Sequence, residues 1–109
     1  MVGIYLRMNN VNNSIVEECK ELAKEDYELF IDEGINRESK KILFEKIVNK
    51  EIEKVITYDF QTISRKKEEL IEFMEILKDN DVNLLIAKFG ELDSKDRMLL
   101  ILSLLKDVI

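Results

Sequence analysis

Residues 2–6 read VGIYL and lead straight into the polar stretch Met8-Asn9-Asn10-Val11-Asn12-Asn13. A short apolar run without polar alternation suits a strand buried on both faces, and the polar stretch after it suits a loop. In α/β proteins the loop leaving such a strand is where chemistry is placed.

Outward from this strand the pattern changes period and then repeats. Ser14 with Glu17 three residues later has the form of a capping box, and Ile15, Val16, Cys19, Leu22 and Ala23 recur at helical spacing, predicting a helix over 14–25. YELFI at 27–31 predicts a second strand, ending at Asp32-Glu33-Gly34, where Gly34 is expected to turn the backbone. Leu43, Phe44, Ile47 and Val48 form one face of a helix over 38–49, and KVITY at 54–58 predicts a third strand. A helix over 65–78, with Leu70, Phe73, Met74 and Leu77 as its apolar face, leads to VNLLIA, a fourth strand. Alternating strands and helices predict a three-layer α/β fold, with a mostly parallel four- to five-stranded sheet and helices on both faces. The last segment, 94–109, has Ser94 as its cap and then Met98 to Leu102, Leu104, Leu105, Val108 and Ile109. A helix apolar on nearly all sides must be covered on more than one side, either by its own domain alone or by its domain together with a partner subunit.

Composition narrows the chemistry. With 109 residues, 46% apolar content and no proline, the chain is expected to form a single domain over 1–109. No apolar stretch is long enough for a bilayer span, and MVGIYLRMNN lacks a signal peptide's apolar core, so a cytoplasmic protein without membrane contact is expected. One cysteine and no histidine remove an internal disulfide, the usual zinc ligands and every histidine-dependent triad. No metal or cofactor is expected, and Cys19 reads as a small buried hydrophobe. Gly3, Gly34 and Gly90 are isolated and form no phosphate-binding loop. The net charge of -6 disfavours DNA binding by this domain alone unless basic groups gather on one face.

Three stretches, in order, resemble the N-terminal catalytic domain of the serine recombinases, the resolvase/invertase family. Tyr5-Leu6-Arg7-Met8-Asn9 is similar to the family's Tyr-x-Arg-Val-Ser, with Asn9 at the serine position. Asp32-Glu33-Gly34-Ile35-Asn36-Arg37, followed by Lys41 and Phe44, resembles a D-E-G-I-S-G stretch followed by an arginine and an aromatic helix position. Gln61-Thr62-Ile63-Ser64-Arg65 stands where the family has D-R-L-x-R, keeping the second arginine.

The resemblance implies a fold in which a serine attacks a DNA phosphodiester while arginines hold the phosphate. Asn9 has an amide that cannot form that covalent link. Lys41 keeps a charge but not the planar fork of arginine, while Gln61 and Thr62 remove a carboxylate and a guanidinium. The catalytic positions Arg7, Asn9, Lys41, Gln61, Thr62 and Arg65 therefore read as a degenerate set. Arg7, Lys41 and Arg65 are the candidates for a residual anion site, to which Arg37, Lys40, Lys66 and Lys67 could add charge. The expected function is a catalytically inactive resolvase-like domain in site-specific recombination, acting by association. Its partner would be a second copy or a recombinase, reached through 94–109, which resembles the start of the family's dimerisation helix. Two alternatives stay open. One is an active recombinase using Ser14 or Ser64 as a displaced nucleophile, with Asp59 replacing Gln61 if two residues are inserted; the other is a small anion-binding α/β domain.

Overall fold

The central strand, β1 (Val2–Met8), buries Gly3, Ile4, Tyr5 and Leu6 in succession, as its unbroken apolar run predicts. The structure, a computed structural model, describes residues 1–8, 12–24, 26–92 and 103. Asn9 lies outside the described residues, and so does the helix expected over 94–109 apart from Ser103. Along the chain follow α1 (Asn13–Ala23), β2 (Tyr27–Glu33), α2 (Glu38–Val48), β3 (Lys54–Thr57), a 3-10 turn (Phe60–Thr62), α3 (Lys67–Asp79), β4 (Asn83–Ile86) and β5 (Gly90–Leu92). The sheet order is β2-β1-β3-β4-β5. The first four strands are parallel, with Val2 opposite both Tyr27 and Lys54, and β5 runs antiparallel to β4.

Helices cover both faces of this sheet. Tyr5, Phe30 and Val55 point to one side and pack with Leu43 and Ile47 of α2 and Phe73, Met74 and Leu77 of α3. Ile4, Leu6 and Ile56 point to the other and pack with Val16 and Cys19 of α1. The alternation follows from the two-residue period of a strand. Each fully buried large apolar side chain contributes about 1.5–3 kcal/mol, so these two clusters are the main source of cohesion. Gly3 allows the first to close: a Cβ there would stand 3.0 Å from Leu43 Cδ1 and 3.1 Å from Ile52 Cδ1.

Four local details differ from the sequence expectation. Asn12 caps α1 in place of Ser14, its Oδ1 accepting from the amides of Ser14 (3.0 Å) and Ile15 (3.4 Å). Asparagine and serine cap equally well, so the chain enters the helix a residue early and Ser14 falls, exposed, within its first turn. Leu22 and Val48, read as facing the core, are 40% and 59% exposed. The third helix begins at Lys67, later than expected, because the 3-10 turn and the Ser64 hydroxyl, which accepts from the Lys66 amide, occupy the approach. Finally, β5 is three residues long, too short for any periodic signal, and is formed by a reversal in which the Phe89 amide donates to the Ile86 carbonyl.

Candidate anion site at the strand ends

Tyr5 and Asp32, from the first two family-like stretches, build a buried polar joint. Asp32 is 1% exposed. Its Oδ2 accepts from the Tyr5 hydroxyl (2.9 Å) and the Lys40 amide (3.0 Å), and its Oδ1 accepts from the Ser39 amide (2.9 Å). A carboxylate on the free amides at the start of α2 is favoured by charge and by hydrogen bonding. Arg37, at the cap position, makes no side-chain cap bond, so this acid from β2 performs the capping. Burial, and then the hydrogen bond to Asp32, push the Tyr5 phenol far above its ordinary value, which keeps it a neutral donor.

Arg37 is a loop staple. Its Nε donates to Glu69 (3.2 Å) and its guanidinium to the carbonyls of Gly34 (3.1 Å) and Asn36 (2.9 Å). Burial works against the Glu69 carboxylate, but the Ser64 hydroxyl and Arg37 together hold its pKa below the usual range. Lys40 reaches Glu72 at 3.9 Å, and Lys41 is exposed on α2.

The other motif residues converge where the strand order reverses, between the C-terminal ends of β1 and β3, the usual ligand position in open parallel sheets. A cavity of about 270 Å³ opens there. Arg7 and Met8 come from β1, Ile15 from α1, and Tyr58 and Asp59 from the chain leaving β3. Gln61, Thr62 and Arg65 complete it, whereas Lys41 is not part of its wall.

Two of these lining groups are already committed. Asp59 Oδ1 accepts from the Thr62 amide (2.9 Å), while the Thr62 hydroxyl donates to the Asp59 carbonyl (2.7 Å) and accepts from the Asp59 amide (3.0 Å). That reciprocal box holds the 3-10 turn in place. Arg7 is different: its Nε is buried without a hydrogen-bond partner among the described residues. Arg7 stands opposite Asp32 in the β1–β2 register, but no ion pair joins them among the described residues, and Asp32 accepts instead from Tyr5 and α2. Arg65, exposed, likewise has no ion pair among the described residues. Two guanidiniums beside one cavity, one with an unused buried donor, can hold a tetrahedral oxyanion.

The sequence reading placed Arg7, Gln61, Thr62 and Arg65 together by resemblance. It weighed Asp59 as a substitute for Gln61; the structure puts both in the wall. It missed Tyr58, Met8 and Ile15, although Met8 ends one parallel strand and Tyr58 directly follows another, a signal that was present. Ser64 is 4% exposed and donates to Glu69 (2.9 Å), which makes it a structural hydroxyl outside the cavity. The Cys19 thiol is buried on α1, where burial and then Glu18 push its pKa up to about 11. Among the described residues there is no acidic or cysteine cluster suited to a metal ion, and no helix long and apolar enough to cross a membrane.

The sequence matches the family described as resolvase, N-terminal domain, over residues 5–108. Among curated proteins no match is found. Solved structures share the fold, two of them as follows. A resolvase family site-specific recombinase from Streptococcus pneumoniae aligns with TM-score 0.76 and 23% identity, covering 98% of this chain and 83% of the other. The N-terminal catalytic domain of TP901-1 integrase aligns with TM-score 0.74 and 18% identity, covering 98% and 92%. At those identities the structural likeness speaks for the fold, and the family match over most of the sequence settles membership: this chain belongs to the resolvase N-terminal domain family.

Proposed function

We propose that residues 1–109 form one resolvase-type domain of a cytoplasmic site-specific recombination system, which grips a phosphate through Arg7 and Arg65 but does not cleave DNA. The observation that carries this reading is the buried Nε of Arg7, without a hydrogen-bond partner among the described residues, in the strand-end cavity that Arg65 also lines. A buried donor left unpaired costs about 1–3 kcal/mol, which an incoming phosphate oxygen would recover. Cleavage by the family route needs an oxygen nucleophile, and Asn9 supplies an amide. Lys41, exposed on α2, is not needed for the grip. With net charge -6, DNA affinity of the isolated domain is weak, and the domain acts by association. The apolar segment 94–109 is the proposed contact, with a second copy or with a recombinase.

The test is incubation with a suicide DNA substrate, followed by denaturing electrophoresis. No covalent adduct is expected, and Arg65→Ala should weaken phosphate-dependent DNA retention about tenfold. A second reading, an active enzyme with a displaced nucleophile, is favoured by exposed Ser14, whose neighbour Ile15 lines the cavity. An adduct formed by the natural sequence and abolished in Ser14→Ala would establish it in place of the first. For association, sedimentation should detect a dimer, or a complex with a recombinase; a monomer at every concentration and no complex would defeat that part.

A further inference from the structure

The β4–β5 turn carries an aromatic ring beside the cavity that the phosphate grip does not use. Phe89 is 66% exposed. Single exposed apolar residues are common and carry little meaning by themselves. This one is backed and fixed. Its ring stacks on Phe60, centroids 5.6 Å apart and tilted by 36°. Phe60 lies in the chain between Asp59 and Gln61, both of which line the cavity. The turn is sewn to the chain leaving β3: the Ala87 amide donates to the Thr57 carbonyl, the Lys88 amide to the Tyr58 carbonyl, and the Phe89 amide to Ile86. The turn is therefore held by backbone hydrogen bonds, and the ring it carries rests against another ring.

The surroundings are cationic. Lys88 Nζ lies 5.4 Å from the centre of the Tyr58 ring, and Tyr58 lines the cavity. Arg65 and Lys66 are exposed on the adjoining segment. Of the nearby acids, Glu91 is paired with Lys54 at 2.8 Å, and Asp59 Oδ1 is engaged by the 3-10 turn. An apolar protein surface is poorly matched to a ring bordered by lysine and arginine. A nucleotide offers a flat face for the ring and a phosphate for the cations.

We propose that Phe89, supported by Phe60 and flanked by Lys88, is a stacking platform for an unpaired nucleobase on the strand whose phosphate enters the Arg7–Arg65 cavity. This rests on the phosphate-grip reading above. The base must be unpaired and unstacked, because a closed duplex keeps its base faces covered.

The probe is a single-stranded oligonucleotide carrying one 2-aminopurine, compared with the same strand in a full duplex, using fluorescence intensity and anisotropy. Tighter binding of the single strand is expected, with quenching of 2-aminopurine. Phe89→Ala should abolish the quenching and weaken binding about tenfold, while Phe89→Tyr should preserve both. If Arg65→Ala weakens binding about tenfold while Phe89→Ala changes neither readout, the phosphate grip stands and the platform is overturned. It is also overturned if neither DNA form binds, if the duplex binds as tightly as the single strand, or if Phe89→Ala abolishes protein self-association and leaves DNA binding unchanged.

Discussion

Arg7 and Asp32 face each other across β1 and β2, carry opposite charges and descend from two family-like stretches, yet their surroundings differ completely. Asp32 accepts three hydrogen bonds and fixes α2 to the sheet. Arg7, two residues along β1 from Tyr5, has a buried donor with no partner among the described residues, at the edge of a cavity. The difference teaches that resemblance to a motif does not distinguish groups that hold the fold from groups that await a ligand. Satisfaction of their hydrogen bonds does. Asp32 spends three of its acceptor positions on Tyr5 and the helix amides, and Arg7 shares none of them among the described residues.

The contrast can be broken most forcefully at Asp32. Asp32→Ala leaves the Ser39 and Lys40 amides and the Tyr5 hydroxyl without their acceptor, and should cost about 3 kcal/mol in urea unfolding. A loss under 0.5 kcal/mol, on the order of a surface substitution, would mean the joint is replaceable by water. The opposite behaviour is expected at Arg7. Arg7→Met keeps the aliphatic stem but removes the unpaired donor, so stability should hold or rise, by up to about 1–3 kcal/mol, while inorganic phosphate binding, followed by NMR titration, weakens about tenfold. A large loss of stability with phosphate binding intact would place Arg7 on the structural side of the comparison.

The smallest effect sharpens the comparison at Glu69, the acid that anchors Arg37 and Ser64. Because its pKa is lowered in the folded protein, its contribution is present above the ordinary carboxylate value near 4.3 and is lost as pH falls through the lowered value. Glu69→Gln should flatten that acid limb of an unfolding-versus-pH curve by less than about 1 kcal/mol, since the side chain is a quarter exposed and screened. An unchanged acid limb would show that the staple carries no linkage.

Strand and helix succession was legible because it depends on local period: VGIYL and YELFI lie in strands, KVITY is a strand up to Thr57, and Leu70, Phe73, Met74 and Leu77 are a buried helix face. β5 was not, since a three-residue antiparallel edge is defined by the partner it meets and not by its own sequence. The cap of α1 was misassigned for a related reason, because Asn12 and Ser14 are chemically equivalent caps and the entry path of the chain chooses between them.

The sequence by itself determined the α/β succession, the absence of histidine chemistry and asparagine at the serine position, all properties of residue identity and spacing. Tertiary structure decided which cations matter. Arg7 and Arg65 are 58 positions apart by number yet border one cavity, while Arg37 and Lys40 are drawn away by Glu69 and Glu72. Charge is written in the chain, but whether a charge is spent or available depends on the neighbours that folding brings to it.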